Sequence, residues 1–281
     1  MFSLGSLLYA LITGRPPFAR AEGSVIDALK RIIAVDYRPV SQELDSSFDD
    51  VDRILSGCLQ RYPGRRYPSV QHLIVDLGIV LEARKLDVSL SKFATDRAAA
   101  YGDISTDEGP SKTRPERRGP YLLLSPVVRD NVSTWVARRE DGPRKGNVEA
   151  VTFIRHEPEA VEAFLDELTQ WTGFDRPYLR FLEQGKIDDE VYAAFSYRPG
   201  ITLGSLIGTG QPPAPPSVAL SLVRQLAIVV VEVQRYLTER HSAPATSRLL
   251  SDTPERFVLT YDGKIHIACP FFQASRLLSR T

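Results

Sequence analysis

Residue types able to carry chemistry are sparse in this chain and do not cluster. His72, His156, His241 and His266 lie far apart, with no spacing that matches a triad or a metal set. Surface or capping roles are expected for them. Two cysteines, Cys58 and Cys269, exclude a disulfide framework, and no CxxC or Cys/His group is present for zinc. No metal site is expected. Cys269 would be a reactive thiol only if exposed; burial as a small apolar side chain is the plainer expectation. Arg114, Arg117 and Arg118 form a small basic cluster. Without interleaved aromatics it reads as solvated rather than nucleic-acid-binding.

The bulk properties agree. The chain has 281 residues, 43% hydrophobic and 25% charged, which is ordinary globular composition and room for about two domains. Lys+Arg and Asp+Glu both number 35, so no net basic field exists for nucleic acid or an anionic membrane. The low cysteine usage favours a reducing, cytoplasmic compartment. The most apolar run, residues 226–233, is interrupted by Glu232 and falls short of the roughly 20 residues of a membrane span. The apolar start, MFSLGSLLYALITG, lacks the basic residues and cleavage site of a signal peptide.

The elements that must position any site change character along the chain. Leu4, Leu7, Leu8, Leu11 and Ile12 have the helical period, stopped by Gly14 and a Pro16-Pro17-Phe18 turn. Further helices are expected over residues 24–34, 48–60 and 69–85. Residues 86–119, above all TDEGPSKTRPERRGP, read as linker. From Tyr121 the period becomes two. Strands are expected over 121–128, 132–138, 148–155, 179–184 and 191–197, with a helix at 158–172. A long apolar helix follows over 218–237. A closing hairpin over 256–267 turns at Asp262-Gly263.

Two stretches carry one resemblance. Residues 2–18, FSLGSLLYALITGRPPF, resemble the central C-lobe helix of eukaryotic-type (Hanks-type) Ser/Thr protein kinases and the turn after it. Residues 54–77, ILSGCLQRYPGRRYPSVQHLIVDL, resemble that family's closing helix pair. There the arginine matching Arg66 pairs with a glutamate of the activation segment, which this chain does not supply ahead of residue 1. Residues 121–281 resemble a second kinase domain, from its first strand to just past the metal-binding motif. Glu167, ten residues before Pro177, matches the glutamate of the family's αC helix. Tyr197-Arg198-Pro199-Gly200 with Leu203 matches the hinge, and Thr260-Tyr261-Asp262-Gly263-Lys264 the hairpin after the catalytic loop.

The resemblance implies an α+β, protein-kinase-like fold. Residues 1–85 would be a helical C-lobe fragment, 86–119 a linker and 120–281 a pseudokinase-like domain. That domain would have an N-lobe at 120–198, with a five-stranded antiparallel sheet and one αC-like helix, and a partial C-lobe at 199–281.

The chemistry does not survive the comparison. Phosphoryl transfer needs a phosphate-covering glycine loop, a lysine, a catalytic aspartate, and Asp and Asn ligands for magnesium. The glycine positions read Val127, Arg129 and Val132, and the lysine position is Thr152. Leu249-Leu250-Ser251 stands at the His-Arg-Asp place, with Asp252 one residue off. Arg256 aligns with the metal-binding asparagine, and Cys269-Pro270-Phe271 with Asp-Phe-Gly. Removing one preorganised charge costs about 2.7–4 kcal/mol of barrier. Thr152 also leaves Glu167 without its implied ion pair; a relic helix position and a solvated charge both stay open.

No catalytic, cofactor-binding or metal residue is therefore expected. Thr152, Glu167, Arg256 and Cys269 are degenerate equivalents, and the ATP and magnesium of the family have no ligands here. The expected function is a protein-binding or regulatory pseudokinase module. The alternative is the C-terminal part of an active ATP-dependent Ser/Thr kinase whose catalytic half lies upstream of Met1. The partner is a protein, or the chain's own upstream kinase region, with no nucleic acid and no membrane span. Residues 2–14 and the run 226–231 of the long apolar helix each have an apolar face in want of cover. Docking of 1–85 against 218–267 is one solution, and the same contact between two chains gives a swapped homodimer.

Overall fold

The computed structural model describes residues 1–18, 24–85, 88–101, 116–129, 133–155, 158–207, 212–241 and 254–268. The helices of the first third are α1 (Phe2–Thr13), α2 (Val25–Ala34), α3 (Val40–Glu43), α4 (Asp49–Cys58), α5 (Val70–Ala83) and α6 (Leu90–Tyr101). Then come strands β1 (Arg117–Arg118), β2 (Tyr121–Arg129), β3 (Ser133–Arg139) and β4 (Val148–Arg155), helix α7 (Pro158–Trp171), and strands β5 (Asp175–Arg176), β6 (Leu179–Ile187) and β7 (Glu190–Ser196). The chain continues through β8 (Gly200–Thr202), α8 (Leu203–Leu206), α9 (Pro216–His241), β9 (Phe257–Thr260) and β10 (Ile265–Ile267). Two units result, Met1–Phe93 with Ser205–Tyr236, and Ala94–Gly204 with Leu237–Thr281.

The first unit is helical. Leu4, Leu8, Leu11 and Ile12 of α1 are buried with Val51, Ile54, Leu55 and Cys58 of α4. Gly14 ends α1 at φ 73, a left-handed conformation that costs glycine little. The turn beyond it is anchored by Phe18, whose ring stacks on Phe2 at 5.7 Å. Ser69 caps α5, and His72 Nδ1 lies 2.8 Å from the Ser69 hydroxyl, a capping role as expected. The long apolar helix belongs to this unit, which reaches Tyr236. The Ala214 N–H, just before α9, donates to the Leu11 carbonyl at 2.7 Å. Leu222, Val223, Leu226, Val230 and Val233 of α9 are buried. The sequence makes residues 226–233 too short for a membrane span. Within α9 they belong to 24 residues, Pro216–Glu239, long and apolar enough to cross one. The burial of that apolar face in the unit is what a core helix shows.

The second unit carries the sheets. Its larger sheet has seven strands in the order β1-β2-β3-β4-β7-β6-β5. All pairs are antiparallel. Five strands were expected; the five long ones are there, and β1 and β5, two residues each, extend the two edges. Each is a tight turn folded back on the next strand, Arg118↔Tyr121 and Arg176↔Leu179, too short to show a period in sequence. Residues 86–119 also differ from the expected linker, because they contain α6. Ser89 caps it by accepting from the Lys92 N–H at 3.1 Å, and Leu90 and Ala94 are buried. Linker composition holds only for the later part of that stretch. The smaller sheet, β10-β9-β8, includes the expected hairpin.

Candidate functional site

β4 is central and buried on both faces. Ala150, Thr152 and Ile154 share one face; Glu149, Val151 and Phe153 share the other. Register places Thr152 opposite Thr134 of β3 and Ala193 of β7. Thr152 is 1% exposed, and its hydroxyl lies 3.0 Å from the equally buried hydroxyl of Thr134. α7 packs on β4 through a face that buries Phe164, Leu168 and Trp171. Glu167 is on α7, but its side chain lies outside the described residues. So do Val132, the side chains of Val127 and Arg129, and residues 249–252 and 269–271. Of Thr152, Glu167, Arg256 and Cys269, only Thr152 and Arg256 have side chains among the described residues.

Arg256 closes a 3-10 turn, Pro254–Arg256, and is 2% exposed. Its carbonyl accepts from the Ala268 N–H at 2.8 Å. The turn Tyr197-Arg198-Pro199-Gly200 leads into β8, where only glycine fits. A Cβ on Gly200 would fall 2.2 Å from the Leu259 carbonyl oxygen.

His266 corrects the sequence reading. Expected at the surface or at a cap, it is instead 1% exposed on β10. Its Nε2 lies 2.9 Å from the Ser196 carbonyl at the end of β7. A carbonyl only accepts, so Nε2 carries the proton and Nδ1 is bare. Nδ1 is buried with no partner among the described residues. Burial pushes the imidazole down to about 4, against the opposing pull of the Ser196 hydrogen bond, with Arg198 also disfavouring the cation. Neutral at physiological pH, His266 ties the hairpin to the hinge-like turn. His156 lies outside the described residues, as does the side chain of His241.

The other face of the sheet holds a cluster that sequence reasoning missed. The Glu149 carboxylate, 1% exposed, accepts from Arg144 Nε at 2.9 Å and lies 3.3 Å from the Tyr121 hydroxyl, whose one proton goes to the nearer Glu183. Glu183 accepts from Tyr121 at 2.7 Å and Tyr192 at 3.0 Å, and pairs with Arg139 and, at 2.6 Å, with Arg144. Burial pushes the Glu183 carboxyl up, but hydrogen bonds from Tyr121, Arg144, Arg139 and Tyr192 outweigh it and hold the group at about 2. Burial and the Glu183 hydrogen bond push the Tyr121 hydroxyl well above its ordinary range. Opposite charges and hydroxyl donors hold both carboxylates, and Arg144 thereby clasps the β3–β4 loop to the sheet. The one signal in sequence was Glu149, a carboxylate inside an apolar central strand.

Arg66 turns inward and is held by a carbonyl and an aromatic ring. Its Nε donates to the Gln60 carbonyl at 2.7 Å, and its guanidinium lies 5.0 Å from the Phe2 ring centroid. Cys58 is buried and its thiol is pushed up to about 12, which makes it inert. Among the described residues no group of three His, Cys, Asp or Glu could hold a metal ion.

No family model matches the chain, and none of the curated proteins does. Among solved structures it is similar to the kinase domain of Mycobacterium tuberculosis PknI. One crystal structure of that domain has TM-score 0.41 and 17% identity, covering 56% of this chain and 60% of that one. Another has TM-score 0.40 and 17% identity, covering 56% and 62%. The chain thus spans about three fifths of the length of the domains it resembles. The similarity covers part of an arrangement and does not extend to activity.

Proposed function

We propose that the chain is a non-catalytic, kinase-like module that works by binding protein. The observation that carries this reading is Thr152. A lysine at this position would have to place its ammonium in a buried, neutral environment now filled by the Thr134–Thr152 hydroxyl pair. ATP with magnesium does not fit the residues present, and no phosphoryl-transfer step is assigned to them. The order of elements supports the kinase-like part: long antiparallel strands β2, β3 and β4, the helix α7, strands β6 and β7, a tight turn, and the β9–β10 hairpin. Cytoplasmic residence and a protein partner belong to the same proposal.

Thermal-shift titration with ATP, with and without magnesium, tests it. At a hundredfold excess over its dissociation constant a working site adds about 2.7 kcal/mol of stability. The expected result is no magnesium-dependent rise in melting temperature and no phosphate transfer to a generic acceptor. A clear rise with magnesium and ATP would overturn the non-catalytic reading.

A further inference from the structure

Several arginines among the described residues are matched to carboxylates. Glu43 holds Arg15 and Arg38, Asp50 holds Arg84, and Glu140 holds Arg117 and Arg138. In the loop between α4 and α5 two arginines share an aromatic ring instead. Arg61, Tyr62, Pro63, Gly64 and Arg65 are all exposed, Tyr62 at 54%. Arg61 and Arg65 have no carboxylate within ion-pair distance among the described residues. Both guanidiniums instead lie over the Tyr62 ring, 5.3 and 5.6 Å from its centroid.

The loop is held in shape from inside. Its 3-10 turn, Pro63–Arg65, is closed by Arg65 N–H to the Tyr62 carbonyl at 2.9 Å and Arg66 N–H to the Pro63 carbonyl at 3.1 Å. Arg66 turns inward to the Gln60 carbonyl, and the Tyr67 N–H donates to the Gly57 carbonyl at 3.1 Å. A guanidinium resting on an aromatic face keeps its in-plane N–H donors for another partner. Two such forks on one ring, already ordered, lower the entropy cost of capturing an anion that carries two charges.

We propose that Arg61, Tyr62 and Arg65 form a docking point for a dianionic group on a protein segment, supplied by phosphoserine or by neighbouring carboxylates. A protein source fits better than a nucleic acid. The chain has zero formal net charge. A long polyanion needs an extended basic track; one dianion does not. The proposal is independent of the reading of the sheet-bearing unit, since it uses only residues of the helical unit.

The test uses the full chain and fluorescence anisotropy with short labelled peptides of one sequence. They carry phosphoserine, two adjacent glutamates, or serine at the same place. The expected result is salt-sensitive binding of one or both anionic peptides and none of the serine peptide. The Arg61→Gln, Arg65→Gln double variant should weaken it by about tenfold or more. Arg176→Gln, a surface control, should leave it unchanged. Both replaced side chains are exposed, so an unaltered melting temperature certifies the fold. The phosphoserine and glutamate arms tell the two sources apart. No binding of either anionic peptide at low salt overturns the proposal. So does equal binding by the serine peptide, or binding that survives the double variant. Preferential capture of single-stranded DNA or phosphatidylserine vesicles, lost in the double variant, would assign the loop to another anion and overturn it as well.

Discussion

Replacing His266 with glutamine should remove a pH dependence that this one imidazole imposes on folding. Burial lowers its folded pKa to about 4. An unfolded histidine titrates near 6.5. The fold therefore favours the neutral ring. Above about pH 6.5 both states are neutral and the imidazole costs nothing. As pH falls from about 6.5 to 4 the unfolded chain takes up a proton that the folded chain refuses, and stability drops. A difference of about 2.5 pKa units at 1.36 kcal/mol each makes the full loss about 3 kcal/mol. Glutamine keeps an N–H donor for the Ser196 carbonyl and does not titrate. Urea unfolding followed by tryptophan fluorescence is the assay. Both tryptophans of the chain, Trp135 and Trp171, lie in the same unit as His266. Wild type should lose about 3 kcal/mol relative to the variant between about pH 7 and pH 4. Carboxylates titrate in both proteins and cancel in the difference. Parallel curves would refute the reasoning, as would an NMR titration placing the wild-type imidazole near 6.5. The NMR result decides the matter even if the variant folds poorly.

Three other outcomes follow from the same geometry. Glu183→Gln should cost about 2 kcal/mol at neutral pH, discounted for the partial exposure of the carboxylate. Because the folded group is held at about 2, the gap to wild type should close as pH falls from about 4.5; a gap that stays constant in urea melts over that window contradicts the clasp. Gly200→Ala forces a Cβ to 2.2 Å from the Leu259 carbonyl oxygen and should cost about 1–3 kcal/mol, visible as a lower melting temperature; an unchanged melt means the turn is not as tight as described. Thr152→Lys should destabilise by about 3 kcal/mol or more without creating magnesium-dependent ATP stabilisation. A lysine variant that melts like wild type, or that gains ATP stabilisation, would show the position is not sealed.

Local pattern was enough for much of this molecule. The period of Leu4, Leu8, Leu11 and Ile12 with Gly14 behind it gave α1, and Asp262-Gly263 gave the β9–β10 turn, because helix and hairpin signals span only a few neighbours. The absence of charge at position 152 was equally plain in the residues themselves. Tertiary structure decided what those residues meet. Thr152 is paired with Thr134, eighteen positions away, only because β3 and β4 adopt one register. His266 is buried because the hairpin reaches the Ser196 carbonyl, seventy positions earlier, and no local feature of Ile265-His266-Ile267 distinguishes that from an edge position. The Glu149–Glu183 clasp joins side chains from five strands and a loop, with pairing across 62 positions from Tyr121 to Glu183. Helix α9 reads as a possible membrane span by length and apolarity, and as a core helix once its inner residues are seen buried with α1 and α4 in one unit. Short-range period fixes which element forms; burial, register and the partner of each polar atom depend on residues brought together from far along the chain, and these set pKa values and close off chemistry.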